Sequence, residues 1–167
     1  GQIMSEVHYK DSNKDGKLTY WHENGQLINE QNYKDNILNN QSTFSNSHGQ
    51  LLTEINYKDG NVVNSTQYNY YDNNHIKSVR NYSNNLLNGQ YIYYLNANSQ
   101  KLIDGTYKDG KPDDRCVFWD KSGRKIEESN YKVGDLIDKT IFKYTYFTGH
   151  LKSKKKYKDG LCINGDC

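Results

Sequence analysis

Proline is nearly missing from this chain of 167 residues, with Pro112 standing alone. A sequence so poor in proline leaves backbone ladders free to run without interruption. Large apolar side chains are also scarce: one Met, two Trp and four Phe, with 34% hydrophobic residues overall and a mean hydropathy of -1.08. That excludes the thick core of an ordinary two-layer domain. No apolar run approaches the roughly 20 residues of a membrane-spanning helix. Neither sign of charge dominates, since 22 basic residues face 20 acidic ones. Nucleic acid is therefore not expected as a partner. No phosphate-binding loop, Gly-x-Ser-x-Gly elbow or His-Glu-x-x-His pair occurs. His8, His22, His48, His75 and His150 show no metal-ligand spacing. The chain reads as a non-enzyme without cofactor or small-molecule substrate.

What is abundant is tyrosine, 16 residues of it, and it recurs on a period. Tyr9-Lys10-Asp11, Tyr33-Lys34-Asp35, Tyr57-Lys58-Asp59, Tyr107-Lys108-Asp109 and Tyr157-Lys158-Asp159 are one tripeptide. Tyr82-Ser83-Asn84 and Tyr131-Lys132-Val133 fill the gaps, so successive tyrosines stand 24, 24, 25, 25, 24 and 26 residues apart. Repetition on this scale marks an array of small supersecondary units. Each unit holds two turn signals. Asn36, Gly60, Asn85, Gly110, Gly134 and Gly160 share one column, which reads as a left-handed turn position. Halfway along stand Asn24-Gly25, His48-Gly49, Asn74-His75, Asn98-Ser99, Ser122-Gly123 and Thr148-Gly149.

Segments between the turns alternate with a period of two, as in Leu51, Thr53, Ile55 and Tyr57, and this is the strand signature. Glu30, Glu54, Asp104 and Glu128 lie three residues before a column tyrosine, on the opposite face. The other strand of each unit carries aromatics, among them Tyr20-Trp21, Phe118-Trp119 and Tyr144-Tyr146-Phe147. The expected fold is all-β: tandem β-hairpin repeats in one long, twisted, curved, antiparallel single-layer sheet. Residues 1–167 are expected to form a single domain of about six hairpins, roughly twelve strands, with a short C-terminal tail. A lone hairpin is unstable in water, whereas stacked hairpins pair their edges.

The order Tyr-Lys-Asp-Gly, aromatic pair, Asn-Gly-Gln-Leu, Glu, Tyr resembles the bacterial variant of the MORN repeat. The nearest stretches are Tyr20–Glu30 and Tyr57–Gly60. This variant defines the YwqK-type antitoxin family, and the resemblance covers nearly the whole chain, degrading over residues 61–106 and 135–150. It implies an immunity or antitoxin protein that binds and occludes a cognate toxin. Some members of the family are lipoproteins or exported. MORN repeats in general are linked to scaffolding and membrane association. The alternative is therefore a periplasmic or surface scaffold for membrane lipid or envelope proteins.

The candidate partner-binding residues are Tyr68, Tyr70, Tyr91, Tyr93, Tyr94, Trp119, Lys154 and Lys156. Tyrosine among Asn, Ser and Gly has the chemistry of antibody paratopes, although the same rings could simply stack across strands. Lys152, Lys154, Lys155, Lys156 and Lys158 form a basic run suited to an acidic partner or anionic lipid, or to guarding a sheet edge. Asp11, Asn13 and Asp15, with Gly16, match the first half of a calcium loop, but the twelfth position is His22 and flanking helices are missing. The other reading is a lengthened turn. Cys162 and Cys167 enclose an Asn-Gly turn signal and could form a disulfide or remain two free thiols. A bridge would favour the periplasm or cell envelope over the cytoplasm. Cys116, beside Val117-Phe118-Trp119, reads as a small buried hydrophobe.

Overall fold

A computed structural model of the protein describes residues 3–95 and 99–164. Among them are fifteen strands and no helix: β1 (Ser5–Lys10), β2 (Asn13–Trp21), β3 (Leu27–Lys34), β4 (Ile37–Leu38), β5 (Asn40–Ser45), β6 (Leu51–Lys58), β7 (Asn61–Tyr70), β8 (Ile76–Ser83), β9 (Leu86–Tyr94), β10 (Lys101–Lys108), β11 (Lys111–Trp119), β12 (Lys125–Lys132), β13 (Asp135–Tyr144), β14 (Leu151–Lys158) and β15 (Leu161–Asn164). They form one open antiparallel sheet in chain order, with the two-residue β4 pairing β3 beside the main path. The sequence led to an expectation of about twelve strands and six hairpins. Three differences account for the larger number. Ser5–Lys10, which carries the first marker tyrosine ahead of the six repeats, forms β1 and pairs with β2. Leu161–Asn164, read as tail, pairs with β14 as β15. Asn40, at φ 67°, interrupts one strand into β4 and β5. All seven marker tyrosines thus sit in a strand that leads into a hairpin.

Two turn chemistries alternate along the meander. After each marker tyrosine, two consecutive residues take left-handed φ: Asp35 49° and Asn36 67°, Asp59 50° and Gly60 80°, Asp109 49° and Gly110 80°. Two such residues in a row make the type I′ hairpin turn, whose twist matches that of the paired strands. Asp, Asn and Gly tolerate these angles, and this is why they fill the column. Two turns depart from this, for Ser12 adopts φ 66° in the first and Val133 φ 50° in the sixth. The other connections are longer. His22 N–H donates to Gln26 O at 2.8 Å and Gly25 N–H to His22 O at 2.8 Å, with Gly25 at φ 81°. This is the three-residue loop closed by a left-handed bulge residue. It recurs at residues 46–50, 71–75 and 120–124. The loops closed by Leu95 N–H to Gln100 O and by Thr145 N–H to His150 O are each one residue longer.

The chain divides into two compact units, Gly1–Asn69 with Asn81–Asn85 and Tyr70–Arg80 with Leu86–Cys167. In the first unit, one face carries the rung Glu6, Thr19, Glu30, Thr43, Glu54, Thr66 across successive paired strands. Like charges directly opposite one another are destabilising. Here Glu30 and Glu54 each face a threonine on both sides and Glu6, on β1, faces Thr19, so successive carboxylates stand two strands apart. Tyr33 and Tyr57 occupy the other face. In the second unit the equivalent rung is Ile92, Asp104, Val117, Glu128, Thr140, Lys156, Asn164. The core is correspondingly thin. Among the described residues its buried apolar members are Leu18, Ile92, Cys116 and Val117, joined by fully buried Ser42, Ser78 and Ser129.

Candidate functional site

The second unit has a tyrosine face built on very small residues. Pairing places Tyr91 of β9, Gly105 of β10, Cys116 of β11, Ser129 of β12, Lys139 of β13 and Tyr157 of β14 in one row. Directly paired residues share a face. Gly105 is required there, because a Cβ on it would lie 2.7 Å from Cys116 Sγ. The low floor formed by Gly105, Cys116 and Ser129 leaves room for larger rings beside it. Tyr91 and Tyr107 meet edge to face, with centroids 5.9 Å apart at 72°. The Arg80 guanidinium lies 5.5 Å from the Tyr91 centroid, a cation–π contact. Burial, then the neighbouring Cys116, Tyr91 and Tyr131, raises the Tyr107 phenol above its ordinary range. Burial likewise pushes the Cys116 thiol up. That keeps it protonated and unsuited to nucleophilic work.

In each unit the face opposite the marker tyrosines holds carboxylates in partnership, Lys17–Glu30 and Tyr68–Glu54 in the first and the Glu128 pairs in the second. Lys17 Nζ lies 2.8 Å from Glu30. Tyr68 donates its hydroxyl to Glu54 at 2.7 Å. Arg115 Nε donates to Glu128 at 2.6 Å and Lys125 Nζ at 2.7 Å. The Arg115 hydrogen bond first, and the Lys125 one second, pull the Glu128 carboxyl down to about 2. A carboxylate so held is a structural anion, not a proton shuttle. A groove of about 290 Å³ lies on this face, lined by Glu128, Asp138, Phe142, Lys154 and Lys156.

The sequence-derived residues fall into several places. Tyr91 and Tyr93 lie on the tyrosine face of the second unit, since Tyr93 pairs Ile103 two residues from the Tyr91–Gly105 pair. Tyr68 belongs to the first unit and to its carboxylate face. Tyr70 is half-buried, and burial raises its phenol. Tyr94 and Trp119 sit at strand ends next to irregular register. Lys154 and Lys156 pair Phe142 and Thr140 on the carboxylate face. The eight are therefore not one patch. The reading by alternation missed Arg80, Tyr107 and Tyr131, although the marker period itself singles out the last two.

Asp11 and Ser12 form a two-residue turn, and Asn13 and Asp15 continue along extended β2. Asn13 Oδ1 accepts a hydrogen bond from Asn36 at 2.6 Å. This is a hairpin rather than a loop wrapped around a cation, and among the described residues no cluster of three His, Cys, Asp or Glu side chains could hold a metal. Cys116 is a free, buried thiol. Cys162 is disulfide-bonded, and Cys167, expected to close that bridge, lies outside the described residues. Tyr146 and Phe147, read as strand aromatics, instead project from the β13–β14 loop, 93% and 95% exposed, because β13 stops at Tyr144.

The segment from Lys14 to Asp35 spans most of β2, a bulged loop, β3 and the start of an I′ turn. Residues 14–35 match the model of the MORN repeat variant. The same hairpin, with the same two turn types, recurs along the sheet, as expected of tandem MORN hairpins. MORN repeats are in general protein- or lipid-binding modules without catalytic activity. Comparison with curated proteins gives no match.

Proposed function

We propose that this chain is an immunity or antitoxin protein, which binds a cognate bacterial toxin and covers its active surface. The observation that carries the reading is the patch of Tyr91, Tyr107, Tyr131 and Arg80 on the tyrosine face of the second unit. Tyrosine and arginine dominate binding hot spots. Rings already half-buried against their own sheet lose little side-chain freedom on association. The floor beside them is closely packed, with Cys116 and Ser129 buried and Gly105 tight against Cys116. Inhibition on this reading is steric, through an interface of standard size. Export to the periplasm or cell envelope belongs to the same reading, supported by the disulfide at Cys162 and by where such bonds persist.

The test is affinity capture by the immobilised chain, identification of bound proteins by mass spectrometry, and co-expression of each with the chain. The expected result is a toxin whose effect on growth is relieved. Arg80→Ala with Tyr91→Ala should weaken capture about 30-fold or more, the loss of two hot-spot contacts. Failure to recover a growth-inhibiting protein, or rescue that survives the double substitution, refutes the assignment.

A further inference from the structure

The most exposed aromatic side chains of the described residues, Tyr146 and Phe147, stand together at the tip of the β13–β14 hairpin. Their rings meet edge to face at 5.2 Å and 90°. The loop beneath them is braced. Gly149 N–H donates to Thr145 O at 3.0 Å, Thr145 N–H donates to His150 O at 2.9 Å, and the Thr145 and Thr148 hydroxyls bond each other. Leu151, at the foot of the loop, is 53% exposed. Among the described residues neither ring packs against the sheet, Tyr146 being 93% and Phe147 95% exposed.

The charge of the same hairpin is lopsided. Residues 139–158 contain seven lysines and no acidic residue, whereas the rest of the chain has fifteen basic residues against twenty acidic ones. Among the described residues, none of these seven lysines forms an ion pair, unlike Lys17, Lys101 and Lys125 elsewhere. They also occupy both faces. Pairing puts Lys139, Lys143 and Lys155 on the tyrosine side, and Lys154, Lys156 and Lys158 on the other. A partner lying flat on the sheet would meet one set only. An approach tip-first engages both sets at once.

From this juxtaposition we propose that the β13–β14 hairpin docks end-on to an anionic lipid bilayer, with Tyr146 and Phe147 entering the interface and the lysines meeting headgroups on either side. The distances suit the task. Strands rise about 3.3 Å per residue, so Lys143, Lys152 and Lys154 stand roughly 10 Å or a little more behind the tip. The apolar face of an interfacial helix is buried about 5–10 Å, and a tip entering to a similar depth leaves these ammonium groups at the phosphate level. Lysines farther back lie about a Debye length away and add weaker, salt-sensitive attraction. This site uses none of Tyr91, Tyr107, Tyr131 and Arg80, the residues on which the proposed function rests.

The test uses the whole chain and vesicles of defined composition, so it does not depend on finding a protein partner. Co-sedimentation is measured with phosphatidylcholine vesicles and with vesicles that also contain phosphatidylglycerol. Binding is expected only with the second, and it should fall as salt is raised. Tyr146→Ser with Phe147→Ser should weaken it at least about tenfold, as should Lys143→Gln with Lys152→Gln and Lys154→Gln. Circular dichroism checks that each variant keeps its strands. A Phe147→Trp variant should have its emission quenched by brominated acyl chains, which reads entry into the bilayer directly. Equal binding to both vesicle types overturns the proposal, as does a tip variant that binds like the parent. Absence of vesicle binding, together with loss of a captured protein in the tip variant, assigns the hairpin to a protein partner instead.

Discussion

Val133→Asn should stabilise the protein. The second unit turns from β12 to β13 through Val133 and Gly134, and Val133 is held at φ 50°. Asp35, Asp59, Asn84, Asp109 and Asp159 take φ between 49° and 51° at the same place in their turns. Left-handed φ costs an ordinary L-residue roughly 1–2 kcal/mol, and Asn or Asp largely escapes that cost through local hydrogen bonding. Branching at Cβ makes valine a poor occupant. Its side chain is 46% exposed, so the apolar burial lost on substitution offsets only part of the gain. The hydrogen bond from Val133 N–H to Asp113 Oδ1 at 2.7 Å is made by the backbone and survives. The net expectation is about 1 kcal/mol of added stability. For a chain of this size that corresponds to roughly 2–4 °C in Tm. Urea and thermal unfolding measure it, and hydrogen exchange of the β12 and β13 amides shows whether the gain is local. Val133→Thr, which keeps the branch, should give no gain. If Val133→Asn is no more stable than the parent, or if Val133→Thr gains equally, left-handed strain at this turn is not what limits the hairpin.

Gly105→Ala should cost about 1–3 kcal/mol, the usual price of overpacking, because its Cβ would meet Cys116 Sγ at 2.7 Å. Adding Cys116→Ala should recover part of the loss, and a purely additive double mutant would contradict the contact. Acid should weaken the second unit through Glu128. Its carboxyl titrates near 4.5 unperturbed and near 2 when folded, so its ion pairs contribute fully above about pH 4.5 and fade as pH falls toward 2. Glu128→Gln should therefore be less stable than the parent near neutrality and converge with it in acid; a gap that stays constant from pH 6 to pH 3 counts against the assignment. Cys116, buried and with its thiol pKa raised, should resist a thiol reagent in native protein and react on unfolding. Prompt labelling without denaturant would show that the tyrosine face opens.

The repeat was readable because its turns demand few residue types. Seven tyrosines and a column of Asn and Gly told where hairpins reverse, and every column member has left-handed φ. The spacing even carried detail. The 25-residue step from Tyr57 to Tyr82 contains a ten-residue β7, against nine residues in β2, β9 and β11. The 26-residue step from Tyr131 to Tyr157 combines a ten-residue β13 with a longer loop. That surplus is what lifts Tyr146 and Phe147 out of the strand. Site residues were harder to read. Register shifts within most strand pairs, as between Gly105 and Tyr107 or Phe118 and Trp119, break simple alternation at the strand ends, where Tyr94 and Trp119 lie. Tyr68 looked like free aromatic surface because nothing local announces that its hydroxyl serves Glu54 fourteen residues earlier. Arg80 was legible only as one member of the alternation Ile76, Ser78, Arg80, Tyr82, since its ring partner Tyr91 is on the next strand.

The two kinds of turn divide the labour of change between the two ends of each hairpin. A two-residue I′ turn has no slack: one inserted residue would slide the strand and send its side chains to the wrong side. The bulged loops have already absorbed extra residues at 95–100 and 145–150 while their strands stay paired on both sides. New recognition can therefore be written at the loop ends by mutation and insertion, while the tyrosine ends hold the phase of the whole ladder.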